Sequence, residues 1–185
     1  MCCVCITRKT VRRACFAAAL VFCGNQPSSA VDGLAIVAGE SRNSGMLRIG
    51  AQWEWSKRWL QGEHLHLGGF WDLGVAQWRR ESIPGERNSL AEISITPVFR
   101  LQASKLRGAY LEGGIGLHLL SATSLGSRRY STAFQFGEHL GFGYRFGARG
   151  AFDLGYRYQH VSNADIKTPN NGADFHQLRL QYWFR

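Results

Sequence analysis

The sequence predicts an all-β protein, an eight-stranded antiparallel transmembrane β-barrel, and three observations carry that expectation. Apolar and polar residues alternate with a period of two through eight separate stretches of the 185-residue chain, with little trace of a 3.6-residue period. Beyond residue 30, no stretch approaches the roughly 20 consecutive apolar residues that a membrane-spanning helix requires. The polar parity carries acids and bases together with small glycines, which suits a narrow lumen that side chains must fill.

Residues 1–30 have the three parts of a secretory signal. Arg8, Lys9, Arg12 and Arg13 precede the apolar run Ala14 to Cys23, and Ser28-Ser29-Ala30 offer small residues before a cut. The run is too short to span a bilayer. Lipid attachment at Cys23 fits poorly, because Phe22 stands where a small residue is expected. Cys2, Cys3, Cys5, Cys15 and Cys23 all lie in this segment, so the expected exported domain, residues 31–185, has neither disulfides nor a thiol nucleophile. Removing four basic residues lowers the formal charge from +9 to +5.

The strands follow in order. A weak first strand runs near Leu34 to Gly39. Leu47, Ile49, Ala51, Trp53 and Trp55 then alternate with Arg48, Gly50, Gln52 and Glu54, and Leu65, Leu67, Gly69, Trp71, Leu73 and Val75 with His66, Gly68, Phe70, Asp72 and Gly74. Ile93, Ile95, Pro97, Phe99 and Leu101 make the fourth, and Leu111, Ile115, Leu117 and Leu119 the fifth. Phe134, Phe136, Leu140, Phe142, Tyr144 and Phe146 form an aromatic sixth row. The seventh carries Phe152, Leu154, Tyr156, Tyr158, His160 and Ser162, and the eighth Asp174, His176, Leu178, Leu180, Tyr182 and Phe184.

A soluble lipocalin-like barrel would show the same alternation with its apolar face turned inward. Mixed charges on the polar parity (Arg48, Glu54, Asp72, Glu92, Arg100, Glu112, Arg145, Asp153, Arg157 and Arg179) favour the membrane version, since they can pair inside a lumen. Trp53, Trp55, Trp59, Trp71, Trp78, Tyr182 and Trp183 suit interfacial girdles. Pro97 cannot donate to a ladder, so a bulge or a rim position is expected there. With both termini on the periplasmic side, the connection from Asn163 to Ala173 faces outward from the cell. Arg42, Arg79, Arg80, Arg87, Arg128, Arg129 and Lys167 lie in or beside such outer connections. They suit lipid phosphates, although the inner turns are basic too. The scattered charge and the export signal argue against nucleic acid.

His160 and Ser162 share a face because side chains two apart in a strand do. Their Cα atoms are roughly 6.6 Å apart, a gap that imidazole and hydroxyl can bridge. Asp174 and His176 share the apolar parity of the next strand, so if the two strands pair, a serine, a histidine and an aspartate meet on a greasy wall. Such a set permits nucleophilic catalysis; an ordinary structural role for a His-x-Ser strand end stays open on spacing alone. His176 competes as a partner for the acid, or serves as an interfacial histidine. His64, His66, His118 and His139 lack ligand-like spacing to carboxylates, so no metal is assigned. No cofactor fingerprint is present.

The run Tyr158-Gln159-His160-Val161-Ser162-Asn163-Ala164, followed by Ile166-Lys167, Pro169-Asn170 and Gly172-x-Asp174, closely resembles the C-terminal signature of the lipid A 3-O-deacylases (PagL-type). The similarity extends through Trp53-Glu54-Trp55, Ala91 to Phe99 and Glu112 to Gly116. This resemblance implies an eight-stranded barrel in the Gram-negative outer membrane. Its activity would be hydrolysis of the ester at position 3 of lipid A in the outer-leaflet lipopolysaccharide, releasing a 3-hydroxy fatty acid. By position it implies His160 as general base, Ser162 as nucleophile, Asp174 as the acid that orients the histidine, and Asn163 as an oxyanion stabiliser. The chain departs from the family pattern twice. Asp174 stands where glutamate is usual, and Asp165 stands where glycine is frequent; a backbone N–H there could still face the oxyanion beside an unhelpful carboxylate. The competing expectation is a noncatalytic outer-membrane barrel for adhesion or membrane stability. The sequence leaves monomer and homodimer open.

Overall fold

The structure, a computed structural model, describes residues 30–105 and 107–185, so the expected signal segment and its cysteines lie outside the described residues apart from Ala30. Ten strands follow in chain order: β1 (Gly33–Ser41), β2 (Ser44–Glu54), β3 (Leu65–Arg80), β4 (Ser89–Ala103), β5 (Gly108–Leu120), β6 (Ser124–Leu125), β7 (Arg128–Arg129), β8 (Phe134–Phe146), β9 (Phe152–Ser162) and β10 (Ala173–Trp183). Eight close a barrel in the cyclic order β1, β10, β9, β8, β5, β4, β3, β2, while β6 and β7 pair only with each other. That small hairpin lies in the connection between β5 and β8; two-residue strands are too short to show a period. Closure is antiparallel, from Gly33 opposite Trp183 to Glu40 opposite His176, and leaves no sheet edge exposed.

Burial follows the sequence parity, with buried and exposed residues alternating without a break along β10. Leu34, Ile36, Leu47, Ile49, Ile93, Ile95, Leu117, Leu119, Leu178 and Leu180 are exposed, whereas Arg100 and Arg179 rank among the largest fully buried side chains. An apolar outside around a charged inside is stable only where lipid, not water, wets the wall. This is a membrane barrel rather than a lipocalin-like one.

The lumen is filled in three layers. In the middle, Glu112 accepts hydrogen bonds from Arg100 (2.7 Å) and Arg179 (3.1 Å) and also meets Arg157. Asp153 accepts from Arg100 at 2.6 Å and from the Tyr110 hydroxyl, and Asp72 is paired with Arg48 and Arg157 at 3.2 Å each. Such charges survive burial because each is paired and hydrogen-bonded. Glycine makes room for them: a Cβ on Gly74 would lie 2.2 Å from the Arg48 guanidinium carbon. Phe70, Val98 and Trp183 plug the end that carries the termini, and Trp78, Leu90, Leu120, Leu125, Tyr130 and Phe175 fill the other.

Two sequence expectations are corrected. Trp78 and Trp183 carry the lumen parity and are 0% and 1% exposed, so they are plugs rather than girdle residues. Of the other expected girdle residues, Trp55 packs against Trp59, Trp71 and Phe99 at the terminus end, and Tyr182 lies in an aromatic row with Phe146, Phe152 and Phe184. Pro97 sits in the middle of β4 without a bulge. The ladder to β5 lapses at Thr96 and Pro97 and resumes in phase, from Ile95 opposite Leu117 to Val98 opposite Gly114. Glycine allows the close approach there, since a Cβ on Gly114 would lie 2.5 Å from the Pro97 carbonyl oxygen.

Candidate active site on the barrel wall

The pairing of β9 with β10 places Asp174 directly opposite His160. Directly opposed residues bring their Cβ atoms within about 5.5 Å, and His160 Nδ1 lies 2.6 Å from Asp174 Oδ1. The contact is on the outer surface: the side chains are 37% and 53% exposed. A carboxylate on Nδ1 fixes the tautomer in which Nε2 is free to accept a proton.

Ser162 ends β9 on the same face, half-buried and opposite Phe136 of β8. Its hydroxyl makes no hydrogen bond among the described residues, so His160 and Ser162 stand side by side rather than bonded. His176 does not compete for the acid. Its Nδ1 lies 2.6 Å from the Tyr156 hydroxyl, one step further along the wall.

Beyond Ser162 the chain turns sharply. The Ile166 N–H donates to the Asn163 carbonyl at 3.1 Å, closing a turn whose central residues, Ala164 and Asp165, have φ of 52° and 60°. Two consecutive left-handed residues without glycine store strain, although aspartate tolerates that region better than most. Asn170 braces the turn: its Oδ1 accepts from the Asn163 N–H and its Nδ2 donates to Asp165, each at 3.1 Å.

The β6–β7 arm supports this loop from the side. Arg128 donates to the Gly172 carbonyl at 2.8 Å and the Ser131 hydroxyl to the Pro169 carbonyl at 2.6 Å. Tyr130 anchors the arm among Trp78 and Phe175; burial pushes its hydroxyl up to about 12, so it stays protonated at physiological pH.

The family model for lipid A 3-O-deacylase (PagL) matches residues 45–183, which include His160, Ser162 and Asp174. The chain belongs to the lipid A 3-O-deacylase (PagL) family. It is 33% identical to the lipid A deacylase PagL of Pseudomonas aeruginosa over 147 residues, 78% of this chain and 82% of that protein. It is 36% identical to the lipid A deacylase PagL of Bordetella bronchiseptica over 127 residues, 64% of this chain and 67% of that one. The crystal structure of the outer membrane enzyme PagL superposes with a TM-score of 0.74 at 26% identity, covering 82% of this chain and 99% of that one. This member of the PagL family is thus an outer-membrane β-barrel.

Within that framework Asn163 turns into the loop. Its side chain is fully buried, with Nδ2 donating to the carbonyls of Tyr130 (2.8 Å) and Lys167 (2.7 Å). The carboxamide thus ties the loop to the arm. Gly172, by contrast, takes a part that motif and spacing do not suggest. With φ of 56° it lies against the imidazole, and a Cβ there would sit 2.9 Å from His160 Cε1 and 3.4 Å from Nε2. The signal was present as a glycine two residues before the acid. An apolar furrow of about 610 Å3 lined by Leu47, Ile49, Val75, Ile93 and Leu119 lies across the barrel on β2–β5 and holds none of these groups.

Proposed function

We propose that this PagL-family barrel is a serine esterase that removes the acyl chain ester-linked at position 3 of lipid A, releasing a 3-hydroxy fatty acid. The observation that carries the proposal is the 2.6 Å His160–Asp174 contact on the lipid-facing wall, beside Ser162. In this reading Ser162 Oγ attacks the ester carbonyl as His160 Nε2 takes the hydroxyl proton. Asp174 stabilises the imidazolium that results. The tetrahedral intermediate collapses, the sugar 3-hydroxyl leaves with the proton from His160, and an acyl-serine remains. Water, deprotonated by the same imidazole, then releases the fatty acid and restores Ser162. The backbone N–H of Ala164 is assigned to the oxyanion, since those of Asn163 and Ile166 already donate within the loop; such a donor is worth about 10²–10³ in rate.

The placement of these groups makes sense of a membrane substrate. The site lies at the end remote from the termini, which in this reading is level with the outer leaflet, so lipid A reacts without leaving the bilayer. Arg129 and Lys167, exposed in the adjoining connections, are positioned for its phosphates.

Mass spectrometry of lipid A from cells producing the chain tests the proposal. The expected result is loss of one hydroxyacyl unit with wild type and none with Ser162→Ala. An unchanged profile with both proteins, each folded in the outer membrane, would instead support a noncatalytic barrel.

A further inference from the structure

Acids are scarce on the outward-facing strand positions; among the described residues they are Glu40, Glu138 and Asp174, all on strands β1, β8 and β10 around β9. Asp174 is explained by His160. Glu138 is not explained by any contact: it is exposed, and among the described residues no hydrogen bond or ion pair holds its carboxylate. Its setting is apolar. The outward row of β8 reads Phe134, Phe136, Glu138, Leu140, Phe142, Tyr144 and Phe146, with Glu138 the single charge. An unpaired carboxylate on a lipid-facing wall costs free energy that leucine at the same place would not.

Register places it beside the reaction. Glu138 lies directly opposite His160, and Phe136, two residues away on the same face, lies opposite Ser162. The diagonal from Glu138 to Ser162 is then about 7–8 Å, and a glutamate side chain covers most of it. An acyl group on Ser162 has two directions to run. Along β9 and β10 it would meet Tyr158, His176 and Tyr156, a polar track in which His176 and Tyr156 are already hydrogen-bonded to each other. Along β8 it would meet Phe136, Leu140 and Phe142. The apolar track suits a hydrocarbon chain, and its one polar interruption falls just past the scissile carbonyl.

We propose that Glu138 is a specificity-determining residue whose carboxylate accepts a hydrogen bond from the 3-hydroxyl of the departing acyl chain, so that the enzyme favours 3-hydroxyacyl esters over unsubstituted ones. The inference rests on the esterase reading of Ser162 and His160. Glu138 lies on the opposite flank of His160 from Asp174, and it acts on the substrate rather than through the base.

The experiment uses purified full-length barrel in detergent micelles with two synthetic glucosamine esters of equal chain length, one 3-hydroxyacylated and one not. A hydrogen bond to a charged acceptor predicts a wild-type preference for the hydroxylated ester of about 10- to 100-fold in kcat/KM. Glu138→Leu is expected to abolish the preference by slowing the hydroxylated ester alone, and Glu138→Gln, which keeps an acceptor oxygen, to retain part of it. An unchanged preference in Glu138→Leu would overturn the proposal. Equal losses on both esters would also overturn it, since they would mean that Glu138 acts through His160. If wild type hydrolyses neither ester, or Ser162→Ala hydrolyses both, the esterase reading itself fails and takes this one with it. Leucine on a lipid-facing position between Phe136 and Leu140 leaves folding intact, which heat-modifiable migration on gels confirms.

Discussion

Replacing Gly172 by alanine isolates how the imidazole is aimed. The new Cβ would lie 2.9 Å from His160 Cε1 and 3.2 Å from the Val161 carbonyl oxygen. Ordinary carbon contact begins near 3.5 Å, so the ring must retreat by about 0.6 Å, away from the position that gives the 2.6 Å contact with Asp174. Displacement by a fraction of an ångström at a reacting centre lowers turnover by roughly 10- to 100-fold. Because φ is 56°, alanine also costs about 1–2 kcal/mol in backbone strain. Gly85→Ala separates the two effects, since Gly85 has φ of 79° and a Cβ added there would meet nothing within 4 Å. Steady-state hydrolysis of a 3-hydroxyacyl ester and thermal unfolding are measured on both variants. The expected outcome is a similar small loss of stability in each, with kcat falling in Gly172→Ala alone and KM little changed. Wild-type kcat in Gly172→Ala would refute the claim that the glycine's backbone positions the base.

Three further outcomes follow from the same geometry. Asp174→Asn is expected to lower kcat by about 10²–10⁴, because the amide no longer stabilises the imidazolium, while Asp174→Glu restores most of it; kinetics on folded protein decide. Asn163→Ala removes the donors to the Tyr130 and Lys167 carbonyls and is expected to cost about 1–3 kcal/mol locally, read as faster proteolysis within 163–172 and reduced turnover from an intact barrel. Arg179→Leu takes a partner from Glu112, Asp153 and Tyr110 at once. Leaving buried carboxylates underpaired is expected to destabilise the barrel by about 3–5 kcal/mol, visible as a lowered unfolding midpoint.

Period-two parity made most of the barrel legible, because in a closed sheet each residue has only two places to point. It separates Arg179 from Leu178 and puts His160, Ser162 and Asp174 on the wall without any knowledge of register. Register itself was not legible: nothing local to β9 or β10 says that residue 174 rather than 176 faces 160, since both have the required parity. That choice is set by the length of the 163–172 connection and by closure of the whole barrel. Two readings drawn from residue type or motif meet side-chain placements that neither could show. Residue type alone sends Trp78 and Trp183 to a girdle, although their parity already points inward. Likeness to a motif sends Asn163 to the oxyanion, yet its orientation depends on the β6–β7 arm, more than thirty residues earlier in the chain.

The same physics explains why the reactive groups sit on the outside of so small a barrel. Eight strands leave a lumen packed with Arg100, Arg157, Arg179 and their acids; a cavity of only about 10 Å3 remains beside Arg157, far too small for a lipid. A wall position costs desolvation for every polar group placed there, and His160 and Asp174 meet that cost by bonding each other. Glu138 has no such partner among the described residues. A carboxylate left alone beside Ser162 on a lipid-facing surface is offset only by something that arrives with the lipid, and under the proposed reaction a hydroxyl near the ester is the group the substrate would bring.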